Sequence, residues 1–156
     1  RRAFASFVPE AVAAFTDQDR ERLMQDAGIV RNKRKIDAAM TNAQAVIALR
    51  GALAAEADAH RAGRMGEAPL THLLRPRQSY PRHLGELVWL YLPNHQPRPR
   101  CAQDVPAQTE ESHALSLELK RRGFVFVGPV TALALMSAIG ITNTDIIGTW
   151  KRPLAE

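Results

Sequence analysis

Cysteine is almost absent: Cys101 is the only one in 156 residues. That excludes an intrachain disulfide framework and any Cys-x-x-Cys metal motif, and it makes a reducing cytoplasm the expected location. No basic stretch followed by an apolar run and a small-residue cleavage site is present, so secretion has no support in the numbered chain. A membrane span is not expected either. Residues 123–144 carry no charged side chain and approach the roughly 20 residues needed to cross a bilayer. Gly128-Pro129 interrupts that run and leaves only residues 129–139 as a continuous helix, which reads as a core element. Strand patterns and internal repeats are missing too. Phe124-Val125-Phe126-Val127 has strand composition, but it is short and lies between two helical stretches. The five histidines, His60, His72, His83, His95 and His113, show no ligand spacing, so no metal site and no cofactor is expected.

What the chain does have is apolar content and positive charge. Hydrophobic residues make up 46%, enough for one compact domain with a real core, and the formal net charge is +5. Of the 21 basic residues 17 are arginine, the side chain whose planar fork suits phosphate, which makes nucleic acid a partner to test.

The helical signals come in capped units. Thr16 with Asp19 forms a capping-box pattern for a short helix that stops at Gly28. Asn32 can cap a longer helix whose apolar stripe runs through Ile36, Ala39, Met40, Ala43, Val46, Ile47 and Ala48, with Gly63 and Gly66 closing it. Seven of the ten prolines lie between Pro69 and Pro106, bracketing one short helix at residues 83–92. That helix is apolar nearly all round, so Trp89 is expected in the core and Tyr91 buried with its hydroxyl satisfied. Thr109 caps a helix that runs to Arg122 and ends at Gly123; Gly128 and Pro129 then open another, closed by Gly140. The fold class is all-α, a compact helical bundle.

One segment carries chemistry. Residues 119–129 (LKRRGFVFVGP) read as two helices joined by a short hairpin with glycine at each end. The amides at the second helix's start, Gly128, Val130 and Thr131, can hold an anion, with Lys120, Arg121 and Arg122 adding charge and Phe124 and Phe126 anchoring the hairpin in the core. The same spacing also fits an ordinary αα-hairpin whose basic triplet complements a helix C-terminus. Arg31, Lys33, Arg34 and Lys35 form a second basic run, and Arg98 and Arg100 a third; each is either a solvated face or a backbone contact.

Three segments, in order, resemble the bacterial DNA-3-methyladenine glycosylase I family. Residues 111–128 (ESHALSLELKRRGFVFVG) look like its helix-hairpin-helix region. Residues 23–36 (LMQDAGIVRNKRKI) are similar to a segment between two of its bundle helices. Val88-Trp89 with Asn94-His95-Gln96-Pro97 resembles its central helix and following turn. The likeness makes residues 1–156 one glycosylase-like domain in which residues 50–82 read as an insertion.

The resemblance implies a monomeric DNA-repair glycosylase of base excision repair. It would bend double-stranded DNA, flip out an alkylated adenine and hydrolyse its N-glycosidic bond, with Lys120, Arg121, Arg122, Gly123, Gly128, Val130, Thr131, Arg31 and Lys33 binding the DNA. The family's base-pocket glutamate and most of its pocket aromatics belong to a stretch ahead of Arg1, so no catalytic residue is assigned and the N-terminal part of the domain is expected to be missing from the numbered chain. The alternative is a helix-hairpin-helix DNA-binding protein without a base pocket; a third reading is a basic helical protein that binds another protein. The family's terminal zinc positions correspond to Asp145 and Thr149, so no structural zinc is expected, and Trp150 is expected to pin the tail by burial instead.

Overall fold

Helices form where a cap meets apolar periodicity. The computed structural model describes residues 1–153 and holds six α-helices: α1 (Pro9–Ala13), α2 (Asp17–Gln25), α3 (Lys33–Arg61), α4 (Leu84–Trp89), α5 (Glu110–Arg121) and α6 (Pro129–Ala138). Short 3-10 turns lie at Arg2–Phe7, Met65–Glu67, Thr71–Leu73 and Ala102–Asp104. No strand occurs among the described residues, where the only bridge pairs Thr149 with Arg152. Nor is any helix among them long and apolar enough to cross a membrane.

The expected caps are in place. Asp19 accepts the Thr16 backbone N–H at 3.0 Å and the Thr16 hydroxyl at 3.1 Å. Asn32 Oδ1 accepts from the Lys35 amide at 3.1 Å, satisfying one of the donors that a helix start leaves open. Thr109 and Ser112 cap α5 reciprocally, each side-chain oxygen accepting the other's backbone N–H at 3.2 and 2.8 Å. Both α5 and α6 end in the same glycine device. At Gly123 (φ +86) the Gly123 amide donates to Lys120 and the Phe124 amide to Leu119. At Gly140 (φ +82) the Gly140 amide donates to Ser137 and the Ile141 amide to Met136. This is the pattern in which a left-handed residue lets the last carbonyls of a helix be answered.

The chain packs as two units. Arg1–Leu84 with Leu119–Phe126 forms the first, and Gly85–Glu118 with the chain from Val127 onward forms the second. In the first, α1 and α2 pack against α3, and Leu119 and Phe124 join that core. The predicted stripe of α3 is corrected: of its members only Ile36 and Ala43 are buried, Ala39, Met40 and Val46 are half-buried, and Ile47 and Ala48 are exposed, while Ala38, Ala45, Leu49 and Leu53 bury instead. In the second, Leu87, Val88, Leu115, Leu133, Met136 and Ile141 are buried. There the turn after α4 is tied to the chain after α6 by Gln96, which donates to the Ile141 carbonyl at 2.9 Å and accepts from the Asn143 amide at 2.8 Å.

Two aromatic expectations are overturned. Trp89 is 46% exposed, because α4 stops there; Leu90 and Tyr91, in the following turn, are the residues that bury. Trp150 is 88% exposed, and the tail is held by Arg152 instead. Its guanidinium donates to the carbonyls of Pro97 at 2.7 Å and Asn143 at 3.2 Å, a two-point grip on turn carbonyls that an indole with one N–H cannot make.

The α2 cap has a pH signature. The hydrogen bond from the Thr16 backbone holds the Asp19 carboxyl below its ordinary value of 3.8, with a further contribution from Arg22. A group whose pKa is lowered on folding contributes stability that is complete above the unfolded value and is lost as the pH falls through the folded one. Asp19→Asn is therefore expected to melt below the parent at neutral pH, with the difference shrinking as the pH drops below 3.8. Thermal melts followed by circular dichroism across that range check it; a difference independent of pH would refute it.

Candidate nucleic-acid interface

The segment after α5 is shaped by where its alternating apolar residues go. Phe124 follows the glycine turn and buries to 6% beside Leu119, as the cap geometry favours. Val125 is then gripped at both backbone groups by one side chain of α3: its N–H donates to Asn42 Oδ1 at 2.8 Å, and its carbonyl accepts from Asn42 Nδ2 at 3.0 Å. Phe126 faces outward. It is 50% exposed, with φ at +60, and the Arg34 guanidinium lies 5.5 Å from its ring centre. The expectation that Phe126 anchors the turn in the core is corrected by this geometry, because burying Phe124 and clamping Val125 leave the next side chain no core to enter.

The basic triplet divides in the same way. Lys120 and Arg121 are exposed. Arg122 turns inward, 6% exposed at its side chain, and donates to Glu56 Oε2 at 2.9 Å. Tyr80 donates to the same carboxylate oxygen at 2.7 Å and accepts from the Leu70 amide at 3.3 Å. Burial, and then the bond to Glu56, push the Tyr80 hydroxyl above its ordinary value, so it remains a donor. Arg122 is thus a structural cation whose charge is turned inward on Glu56.

In the second unit, α6 begins on Gly128 and Pro129 with no side chain capping it. The Ser116 hydroxyl donates to the Val127 carbonyl at 2.6 Å and fixes the residue before the cap. Val130 and Thr131, in the first turn, are exposed, and Pro129 has no N–H to give. Gly123 needs its glycine for its positive φ. Gly128 does not: its φ is −69, and a Cβ there would meet nothing within 4 Å. The absent side chain leaves backbone open to close approach from outside.

Arg31 and Lys33 stand exposed at the start of α3, with Arg34 and Lys35 beside them. The first turns of α2 and α5 carry acids, as the helix dipole favours, but that of α3 has none. Cations there are placed against the dipole, and a bound anion would relieve them.

The remaining polar groups do local work. His60 Nδ1 meets the Thr71 hydroxyl at 3.1 Å and His72 Nδ1 the Pro69 carbonyl at 2.8 Å. Asp145 donates its amide to Asn143, and the Thr149 hydroxyl donates to the Ile146 carbonyl. Among the described residues no group of three or more His, Cys, Asp or Glu side chains is placed to hold a metal ion.

Comparison with known proteins meets this geometry. The sequence model described as methyladenine glycosylase matches residues 1–60 and 71–152. The chain belongs to the methyladenine glycosylase family. It is 34% identical over 151 residues to DNA-3-methyladenine glycosylase 1 of Escherichia coli (strain K12), covering 95% of this chain and 65% of that protein. It is 31% identical to the DNA-3-methyladenine glycosylase of Haemophilus influenzae, with 94% and 65% covered. The structure of 3-methyladenine DNA glycosylase I from Staphylococcus aureus, solved for its recognition of 3-methyladenine, superposes with a TM-score of 0.72 at 25% identity, covering 97% of this chain and 67% of that one. The chain thus spans 65% of the length of these two curated relatives. Residues 61–70 lie outside the family match, and α3 runs unbroken up to that gap.

Asn42, Glu56 and the pairing of Arg34 with Phe126 are site features that sequence reading missed. The one available signal was a polar Thr41-Asn42 step inside the apolar stripe of α3. For this glycosylase-family chain, Asn42→Ala is expected to cost about 1 kcal/mol, with the Val125 amide losing protection ahead of the rest of α5. Site-resolved hydrogen exchange checks this; an unchanged Val125 rate would refute it.

Proposed function

We propose that the protein is a DNA-repair glycosylase that removes alkylated adenine, 3-methyladenine in particular, from double-stranded DNA, and that this chain supplies much of its grip on the duplex. The observation that carries the reading is the family membership, with 34% identity to the Escherichia coli DNA-3-methyladenine glycosylase across 95% of the chain. The chemistry is consistent with it. Flipping a base out of the stack costs a few kcal/mol and is cheapest for a damaged base. Methylation at N3 leaves the base positively charged, so it departs neutral when the bond from the sugar C1′ to the base breaks. Water attacks an oxocarbenium-like sugar, and hydrolysis needs no further reactant. The catalytic residues are left unassigned.

Residues 120–131 act as a helix-hairpin-helix in this reading. The exposed Lys120 and Arg121 add charge, Gly123 makes the turn, and the backbone at Gly128, Val130 and Thr131 receives a phosphate without reading a base. Arg31 and Lys33 contact the backbone at the start of α3. The protein acts as a monomer in the cytoplasm, in keeping with a single exposed cysteine, Cys101.

Incubating the full-length protein with methylated duplex DNA is expected to release free 3-methyladenine. Salt-sensitive duplex binding without release would identify a DNA-binding relative that does not excise. Gly128→Ala sharpens the test, since φ and packing both tolerate a methyl group there. Stability should hold or rise by up to about 1 kcal/mol. Duplex affinity should fall about tenfold, the loss of roughly one good hydrogen bond to phosphate. An affinity equal to that of the parent would remove Gly128 from the interface.

A further inference from the structure

Arg34 and Asn42 lie about two turns apart on α3 and hold consecutive residues of the turn that follows α5. Asn42 takes Val125 by its N–H and its carbonyl, and Arg34 covers the ring of Phe126 at 5.5 Å. The conformation so held is a costly one. A non-glycine residue at φ +60 is strained, and a half-exposed aromatic ring gives up the burial that would offset the strain. Core packing does not call for it, because Leu119 and Phe124 already close that end of the unit.

What the arrangement achieves is to hold a guanidinium. A free arginine side chain samples many rotamers, whereas one resting on an aromatic face is held by cation–π attraction with its in-plane N–H donors clear of the ring. Arg34 is exposed, and among the described residues no carboxylate pairs with it. Its neighbours Arg31, Lys33 and Lys35 are cations, so an acidic ligand is the one this surface attracts.

We propose that Arg34, held on the Phe126 ring, is a backbone-phosphate contact to duplex DNA, with Phe126 as its platform and Asn42 as the residue that positions the platform. A planar fork fixed in advance matches two phosphate oxygens and loses little freedom on binding. The contact adds affinity and register without reading sequence. It rests on the DNA-binding reading above and adds a group that the hairpin alone does not contain.

The test is equilibrium binding of the full-length protein to a duplex across a salt series, with the melting temperature of every variant measured alongside. Arg34→Gln is expected to lower affinity several-fold near 0.1 M salt and to reduce the slope of log affinity against log salt by about one. Arg34→Lys keeps the charge, so its slope should stay at the parent value while part of the affinity is lost. Phe126→Leu should weaken binding and shrink the further effect of Arg34→Gln, because the two act as a unit. A lowered melting temperature with parental slope and affinity for Arg34→Gln would assign Arg34 to covering the ring alone and overturn the proposal. So would an Arg34→Gln effect of the same size with and without Phe126. A parent protein that binds no duplex at any salt refutes the DNA-binding reading along with this one; a parent that binds, with Arg34→Gln unchanged, refutes this one alone.

Discussion

The Arg122–Glu56 ion pair sets the end of α5. A guanidinium with 6% of its side chain exposed and a carboxylate with 16% are desolvated enough that neither tolerates losing the other. Tyr80 adds a second donor to the same carboxylate, and its own oxygen takes the Leu70 amide. One acidic group on α3 thereby holds the last turn of α5 and the irregular chain around residues 70–80. With Arg122 fixed, Gly123 must reverse the chain where it does, Phe124 must fall back on Leu119, and Val125 arrives where the Asn42 amide can take both of its backbone groups. The exposed turn is thus determined from its base upward.

That dependence explains what sequence could and could not show. The caps at Thr16, Asn32 and Thr109 and the glycines at 123, 128 and 140 are local devices, with their partners three to five residues away, and all were legible. The end of α3 was less so, because an Ala-rich charged stretch has helical propensity but no stripe to mark how far it runs. Arg122 was misread for a different reason. Its partner is 66 residues away, so a run of Lys120, Arg121 and Arg122 looks uniform although only the third side chain turns inward. Phe126, Trp89 and Trp150 failed together: composition says that large aromatics bury, but only packing says which of them finds space. Family membership was legible from three segments, since these combine glycines, caps and core positions in a fixed order.

The charges show a recurring exchange of stability for something else. At α2 and α5 the first-turn acids suit the helix dipole, and the capping Asp19 is fully engaged. At α3, the longest helix, the corresponding positions carry cations in place of acids. Gly128 forgoes a side chain that its backbone and surroundings would accept, and Phe126 sits in the left-handed region with its ring half in water. Each is unfavourable or indifferent for the isolated chain. All three become favourable against a polyanion that approaches closely.

The two kinds of proposed phosphate contact differ in how they would be held. Backbone amides at a helix start are rigid by construction, so a glycine that exposes them is enough. A long cationic side chain is not rigid, and its conformational freedom must be lost at binding unless the fold removes it first. The structure removes it for Arg34 through a chain of fixed parts: the buried ion pair sets α5, the glycine turn sets Phe124, the Asn42 amide sets Val125, and Val125 sets the ring on which the guanidinium rests. Strain at Phe126 is then the consequence of presenting a platform outward where α3 reaches it with both a clamp and a cation.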